Sequence, residues 1–360
     1  MGLLDTIRSL FTGRGRGSED ADEGDPIEVA DRAIAAFWTW WAQTQAQLQA
    51  TVASGMTPRL IDELSRKVEA IHPELGWEFS KGTHSRHALA VTGGGNPQLR
   101  LLAERWRALG PGDDEVWAFH ATKPALAADA VATTQLGMGD ATFDFADVRV
   151  GVEEDPSRGV LDVVFWHPVF RTAPEEVRGQ LTFITLDSVL GEDAVERWLG
   201  GIDMATEPVV DGVDLVTLRA RVDALAERDQ EGAWIVGEGP DADTGLACVY
   251  ALDRSVRRWD HPLCDTFVRV VLPYAANEGG MPADPELMDV LSALEEDLQR
   301  AIGPGGVHLG RRTGAGSRIL FFYLDGRDDL PDRVRAWAAQ CPRPCEVHLE
   351  RDPLWQLRPG

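Results

Sequence analysis

A chain of 360 residues is about twice the usual length of one domain, so two or three domains with separate cores are expected. Hydrophobic residues at 44% and charged residues at 26% exclude a fibrous or wholly disordered protein, and no apolar run, Ile319 to Leu324 included, approaches the roughly 20 residues that span a bilayer. Against 35 Lys+Arg stand 59 Asp+Glu, and the net charge of −24 repels polyphosphate and argues against nucleic acid as a partner.

Leu3, Leu4, Ile7, Leu10 and Phe11 recur at helical spacing, so the chain opens on a short amphipathic segment suited to docking on a partner. Residues 13–26 are Gly-rich and then acidic and read as a flexible linker; together residues 1–26 form a tail. The N-terminal α+β domain is expected over 27–230. Its first helix runs from Ile27 to about Ala53 and carries Phe37, Trp38, Trp40 and Trp41. Thr57 and Pro58 mark the N-cap and first turn of a second helix that ends before Pro73. Strands Leu75–Ser80 and His87–Thr92, a helix from Pro97 to Leu109 and a strand from Val116 to Thr122 follow. The alternation Phe143, Phe145, Val148, Val150, Val152 and the run Val160–Phe170 predict strands that extend this sheet, which is mixed or antiparallel. A run Gln180–Leu190, a helix near Glu192–Leu199 and a helix with Leu215, Leu218, Val222 and Leu225 complete the domain. Residues 231–262 are expected to form a hairpin and connection, with the boundary falling between about 228 and 262.

From 263 to 360 the predicted elements are strand Phe267–Tyr274, a helix capped by Asp284 with Leu287, Leu291, Leu294 and Leu298 on one face, strands Val307–Arg312 and Ile319–Leu324, helix Asp332–Gln340 and strand Cys345–Glu350. The order βαββαβ is that of a ferredoxin-like domain, two helices on one face of a four-stranded antiparallel sheet. Lys81–Arg86 and Arg312–Arg318 each join two strands, and a helix with a Trp (Trp106, Trp337) and a proline-ended strand follow each, the pattern of a diverged internal repeat.

Gly310-Arg311-Arg312-Thr313-Gly314, with Gly316 and Arg318 leading into Phe321-Phe322-Tyr323, resembles the domain-of-unknown-function 695 family. Phe37-Trp38-Thr39-Trp40-Trp41, Trp117-Ala118-Phe119 with Lys123-Pro124, and Leu186-Asp187 through Gly191-Glu192 to Ile202-Asp203 resemble the region that often precedes that domain in bacterial proteins. The resemblance implies an architecture and a bacterial cytoplasmic setting; it implies no catalytic residues and no cofactor.

Arg311, Arg312 and Arg318 flank a Gly-rich hairpin, and with Thr313 and Gly316 they form the candidate anion site; strand alternation lets at most two of the three guanidiniums converge. Cys341-x3-Cys345 with His348 lacks the further ligands of a zinc site, Asp241-Ala242-Asp243-Thr244-Gly245 reads as a turn instead of a calcium loop, and His84, His87 and His167 read as structural histidines. No metal and no cofactor are expected. Four cysteines without an export signal fit a reducing cytoplasm. Three readings stay open: a non-enzymatic, inhibitor-like module that binds another protein, a small-anion sensor or enzyme built on the Arg311–Arg318 hairpin, and a purely structural oligomeric scaffold.

Overall fold

The computed structural model describes residues 26–52, 57–138, 141–228, 234–241, 244–327 and 329–359. Helices and strands mix in four separate sheets, an α+β protein. The chain divides into two compact units, Met1–Asp229 and Gln230–Gly360. The expected tail with Leu3, Leu4, Ile7, Leu10 and Phe11 lies outside the described residues.

The first unit contains two cores. In the first, α1 (Pro26–Val52) buries Ile34, Phe37, Trp41 and Leu48, and α2 (Pro58–Glu69) buries Leu60, Leu64 and Val68 at a spacing of four. Thr57 stands at the N-cap of α2 with extended backbone, yet its hydroxyl makes no cap bond; Pro58, preset for a first turn, opens the helix. Strand β1 (Gly76–Ser80) pairs antiparallel with β2 (His87–Thr92); α3 (Pro97–Ala108) crosses over and β3 (Trp117–His120) returns parallel to β2. Phe37, Trp106 and Trp117 pack between helices and sheet.

The next strands do not extend this sheet, contrary to the alternation of their sequence. Val116 O bonds His87 N, so the amides of Trp117 and Phe119 point away from β2. Asp114 Oδ1 accepts Trp117 N at 2.7 Å and Asp113 Oδ1 accepts Phe119 N at 3.1 Å. These carboxylates occupy the edge that a further strand would need.

The second core has its own sheets. Helix α4 (Ala128–Val131) precedes a β4 (Gln135–Met138)–β5 (Ala141–Asp144) hairpin; β6 (Arg149–Asp155) pairs antiparallel with β7 (Val160–Trp166), and β8 (Leu199–Met204) lies parallel to β7. Strand β7 stops at Trp166, and Pro168–Arg171 is a 3-10 turn, which shortens the expected Val160–Phe170 strand because Pro168 has no amide to give. Helices α5 (Glu175–Leu190), α6 (Glu192–Trp198) and α7 (Leu215–Arg228) cover the sheet. Arg100 of α3 ties the cores together, reaching Glu104 at 2.8 Å, Asp193 at 2.7 Å and Glu196 at 3.4 Å.

In the second unit β9 (Trp234–Pro240), β10 (Ala247–Asp253), β11 (Thr266–Pro273), α8 (Glu286–Ile302), β12 (Gly306–Gly314), β13 (Ser317–Leu324), α9 (Leu330–Gln340) and β14 (Glu346–Arg351) follow in order. One sheet holds all six strands in the order β14-β11-β13-β12-β10-β9, every neighbouring pair antiparallel. The sheet is thus wider than the four strands expected, because the 231–262 segment contributes the β9–β10 hairpin to it. Asp284 Oδ1 accepts Glu286 N at 3.0 Å and starts α8, whose Leu291, Leu294 and Leu298 pack on Val268, Val270, Leu320 and Phe322. On the other face Trp355 stacks on Tyr323 with ring centroids 4.1 Å apart. The two halves share the order β-β-α-β but not the sheet. In the first unit the crossover returns beside its own hairpin, β3 next to β2; in the second, β11 lies between β13 and β14.

Candidate functional site

The three arginines of the β12–β13 hairpin are divided by the sheet. Thr313 stands opposite Arg318 and Arg311 two residues away, so these three project toward α8, while Arg312 projects to the opposite face. The converging pair is Arg311 and Arg318. Arg318, 1% exposed, donates from Nε to Thr313 Oγ1 at 3.0 Å and from Nη1 to Ser292 Oγ at 3.2 Å. Its Nη1 lies 3.6 Å from Glu295 Oε2, and Arg311 Nη1 donates to Glu295 Oε1 at 2.8 Å. Arg312 Nη1 donates to Asp241 Oδ2.

Every guanidinium of the hairpin therefore already holds a carboxylate, and an anion would have to displace one of them. The turn is equally occupied. Ala315 and Gly316 have φ of 49° and 77°, the two positive values of a type I′ turn, and Gly316 N donates to Gly280 O at 2.9 Å.

A β-bulge between His308 and Gly310 lets His308 and Arg311, an odd number of residues apart, share the α8 face. His308 Nε2 lies 3.6 Å from Glu295 Oε1, and burial holds the imidazole below its ordinary pKa. Trp234 of β9 caps this cluster from the side, 5.8 Å from the His308 ring and 6.0 Å from the Arg311 guanidinium.

Among the described residues, strand β9 is the edge of the six-stranded sheet, paired with β10 on one side. Its apolar residues face water: Trp234 is 45% exposed, Ile235 38% and Val236 72%. On the face away from Trp234, Ile235, Gly237 and Gly239 lie beside Leu252, Tyr250 and Cys248. A Cβ at Gly237 would meet nothing within 4 Å, so the missing side chains leave a groove of about 230 Å³ floored by Tyr250 and Leu252. From Gln230 to Asp253 the chain carries Glu231, Glu238, Asp241, Asp243 and Asp253 and no Lys, Arg or His. The exposure of this edge had no signal in the sequence beyond the missing blockers: no Lys and no interior Pro.

A second polar cluster joins the two cores of the first unit. Glu192 is buried; it accepts a bond from Thr92 Oγ1 and one from Lys123 N at 2.9 Å. Gly191 has φ of 82°, and a Cβ there would lie 3.0 Å from Ala125 N and 3.3 Å from Lys123 O, so a side chain would be strained. Lys123 Nζ lies 3.3 Å from Glu78 Oε2 and 3.4 Å from Ser188 Oγ. Burial first, and then the Glu192 charge, push the Asp187 carboxyl up to about 7 against the pull of Lys123. Lys123, Asp187 and Glu192 lay within the motifs that carried the family resemblance, but nothing in their spacing announced that they meet.

The remaining candidates are structural. His167 Nδ1 accepts Val169 N at 3.2 Å and its ring stacks 3.9 Å from Phe143; His84 is exposed, and the His87 ring packs 5.1 Å from that of Trp117. Asp241 Oδ1 accepts Thr244 N at 2.9 Å, which closes the β9–β10 turn and draws the carboxyl down to about 2. Burial and the neighbouring Cys341 push the Cys345 thiol up to about 11, away from the reactive thiolate. Among the described residues no group of three or more His, Cys, Asp or Glu is placed to hold a metal ion, and no helix is long and apolar enough to cross a membrane. In comparisons with protein-family models, curated proteins and solved structures, nothing matches the chain.

Proposed function

We propose that the protein is a non-enzymatic, inhibitor-like binding module that takes an extended, basic segment of a partner protein as an added strand along β9. The observation that carries this reading is the open β9 edge, where Trp234, Ile235 and Val236 face solvent in a hairpin that has acidic but no basic residues. Strand addition supplies main-chain bonds, and pockets for alternate side chains supply selectivity; the Tyr250–Leu252 groove is such a pocket. The net charge of −24 steers a basic partner in and nucleic acid away. On this reading the β11–β14 portion is a ferredoxin-like domain of the domain-of-unknown-function 695 kind with an added hairpin, acting in a bacterial cytoplasm. What supports that placement is the β14-β11-β13-β12 order and the work of its motif glycines, since a Cβ at Gly310 would lie 2.2 Å from Ala251 O. The small-anion reading has less behind it, because each hairpin guanidinium is already paired.

The test is retention of partners from host extract on the full chain and on Ile235→Lys/Val236→Lys, two exposed changes that copy the charges natural edges use to stay single. A partner bound through a basic segment, lost with the double variant and protecting the amides of Trp234–Pro240 from exchange, is the expected result. Equal retention by the variant, at an unchanged melting temperature, would remove β9 as the site.

A further inference from the structure

Helix α9 ends where two cysteines come together. The amide of Cys341, its C-cap residue, donates to Ala338 O at 3.2 Å, and the Cys345 thiol donates to the same oxygen at 3.5 Å. A carbonyl of the kind every helix leaves over at its C-terminus thus gathers the thiol of one cysteine onto the backbone of the other. Pro342 and Pro344 stand between them, each with φ fixed by its ring. On the far side of this turn β14 begins at Glu346, held in register against Val271 of β11. Both cysteine side chains pack against the core beneath α9 and are only half-buried, so the pair is held from two elements and still reached by small solutes.

The other two cysteines are placed differently. Cys248 is fully buried in β10. Cys264 is buried as well, its thiol donating to Gly305 O at 3.8 Å, and burial with the charges of Asp325 and Asp265 pushes it up to about 12. Within the pair the two sulfurs are unequal. Burial, and then the charge of Cys341 beside it, hold Cys345 in the thiol form, which assigns the attacking sulfur to Cys341.

We infer that Cys341 and Cys345 form a reversible disulfide, a modification site whose oxidant is a low-molecular-weight disulfide, R–S–S–R. The Cys341 thiolate attacks one sulfur of the oxidant; a bond to that sulfur forms, the S–S bond breaks, and one RS⁻ leaves with the electron pair. Blocking Cys341 in this way removes the neighbouring charge that helped to keep Cys345 protonated. Cys345 then gives up its proton, attacks the Cys341 sulfur and expels the second RS⁻. The pair loses two electrons and two protons, and the oxidant leaves as two RSH. Where thiols are kept reduced such a bond is transient, and while closed it fixes the turn between α9 and β14.

Incubation of the folded full chain with 2-hydroxyethyl disulfide tests this, because the probe is neutral and the net charge of −24 neither attracts nor repels it. Mass spectrometry of the intact chain and its peptides is expected to show the loss of two hydrogens, placed in a Cys341–Cys345 link and fully restored by dithiothreitol. Cys248 and Cys264 stay unmodified until the chain is unfolded. The rate is expected to rise up to about tenfold between pH 7 and 8, as a thiolate reaction does below the pKa of its thiol. Cys345→Ser is expected to stop at one mercaptoethanol adduct on Cys341, and Cys341→Ser to react roughly tenfold more slowly or less, since burial keeps its remaining half-buried thiol protonated. An unmodified chain, an adduct on Cys341 of the unaltered chain that never resolves, a link that forms only in urea, or a link to Cys248 or Cys264 would overturn the inference.

Discussion

Glu295 collects three basic side chains, Arg311, Arg318 and His308, and this arrangement explains why a motif rich in arginine need not be a binding site. A buried carboxylate is tolerated only when paired, and a buried guanidinium likewise, so each secures the other between α8 and the sheet. Asp187 is the opposite case, a carboxyl kept near charge instead of matched with it. The unfolded chain releases this proton near pH 3.9, whereas the folded chain holds it up to about 7. Between those values the folded state binds the extra proton, so this residue's contribution to stability is present at low pH and is lost as pH rises toward 7, at a slope of at most about 1.4 kcal/mol per pH unit. Burial sets the sign; of the charges that face the carboxyl, Glu192 adds to the rise and Lys123 opposes it. Asp187→Asn is expected to flatten the pH dependence of the melting temperature between 4 and 7 and to raise it at pH 8. An unchanged profile would place the carboxyl in water.

At the scale of elements, two strand edges meet different fates. The edge of β3 is closed by Asp113 and Asp114, whose side chains take the outward amides; β9 has no such cover among the described residues and carries its apolar residues outward. Strand β12 depends on a single backbone irregularity. Gly310 has φ of 133°, reached easily only without a side chain, and its bulge brings His308 and Arg311 to one face. Gly310→Ala would drive a methyl into Ala251 O and is expected to cost about 3 kcal/mol in urea unfolding, with exchange protection lost first between β10 and β12. A cost below about 1 kcal/mol would mean that the bulge can slide.

The whole molecule carries −24 on 360 residues, while its ion pairs, such as Arg100 with Asp193 and Arg312 with Asp241, are short-ranged. Raising the ionic strength from about 0.01 to 0.3 M shortens the screening length from roughly 30 Å to under 10 Å. That weakens the long-range repulsion more than the buried contacts, so the melting temperature is expected to rise with salt. A fall would mean that the ion pairs outweigh the repulsion. The sequence by itself determined the α+β class and most element spans, from the Leu291–Leu294–Leu298 stripe of α8 to the proline that opens α2, because periodicity and capping are local properties of the chain. Tertiary structure decided which strands pair, that 231–262 widens the second sheet, that the middle strands stand apart from the first, and that Arg318 and not Arg312 meets Arg311. Those outcomes depend on residues far apart competing for the same edge, and on one inserted residue that reverses the face of all that follow it, neither of which leaves a mark in local spacing.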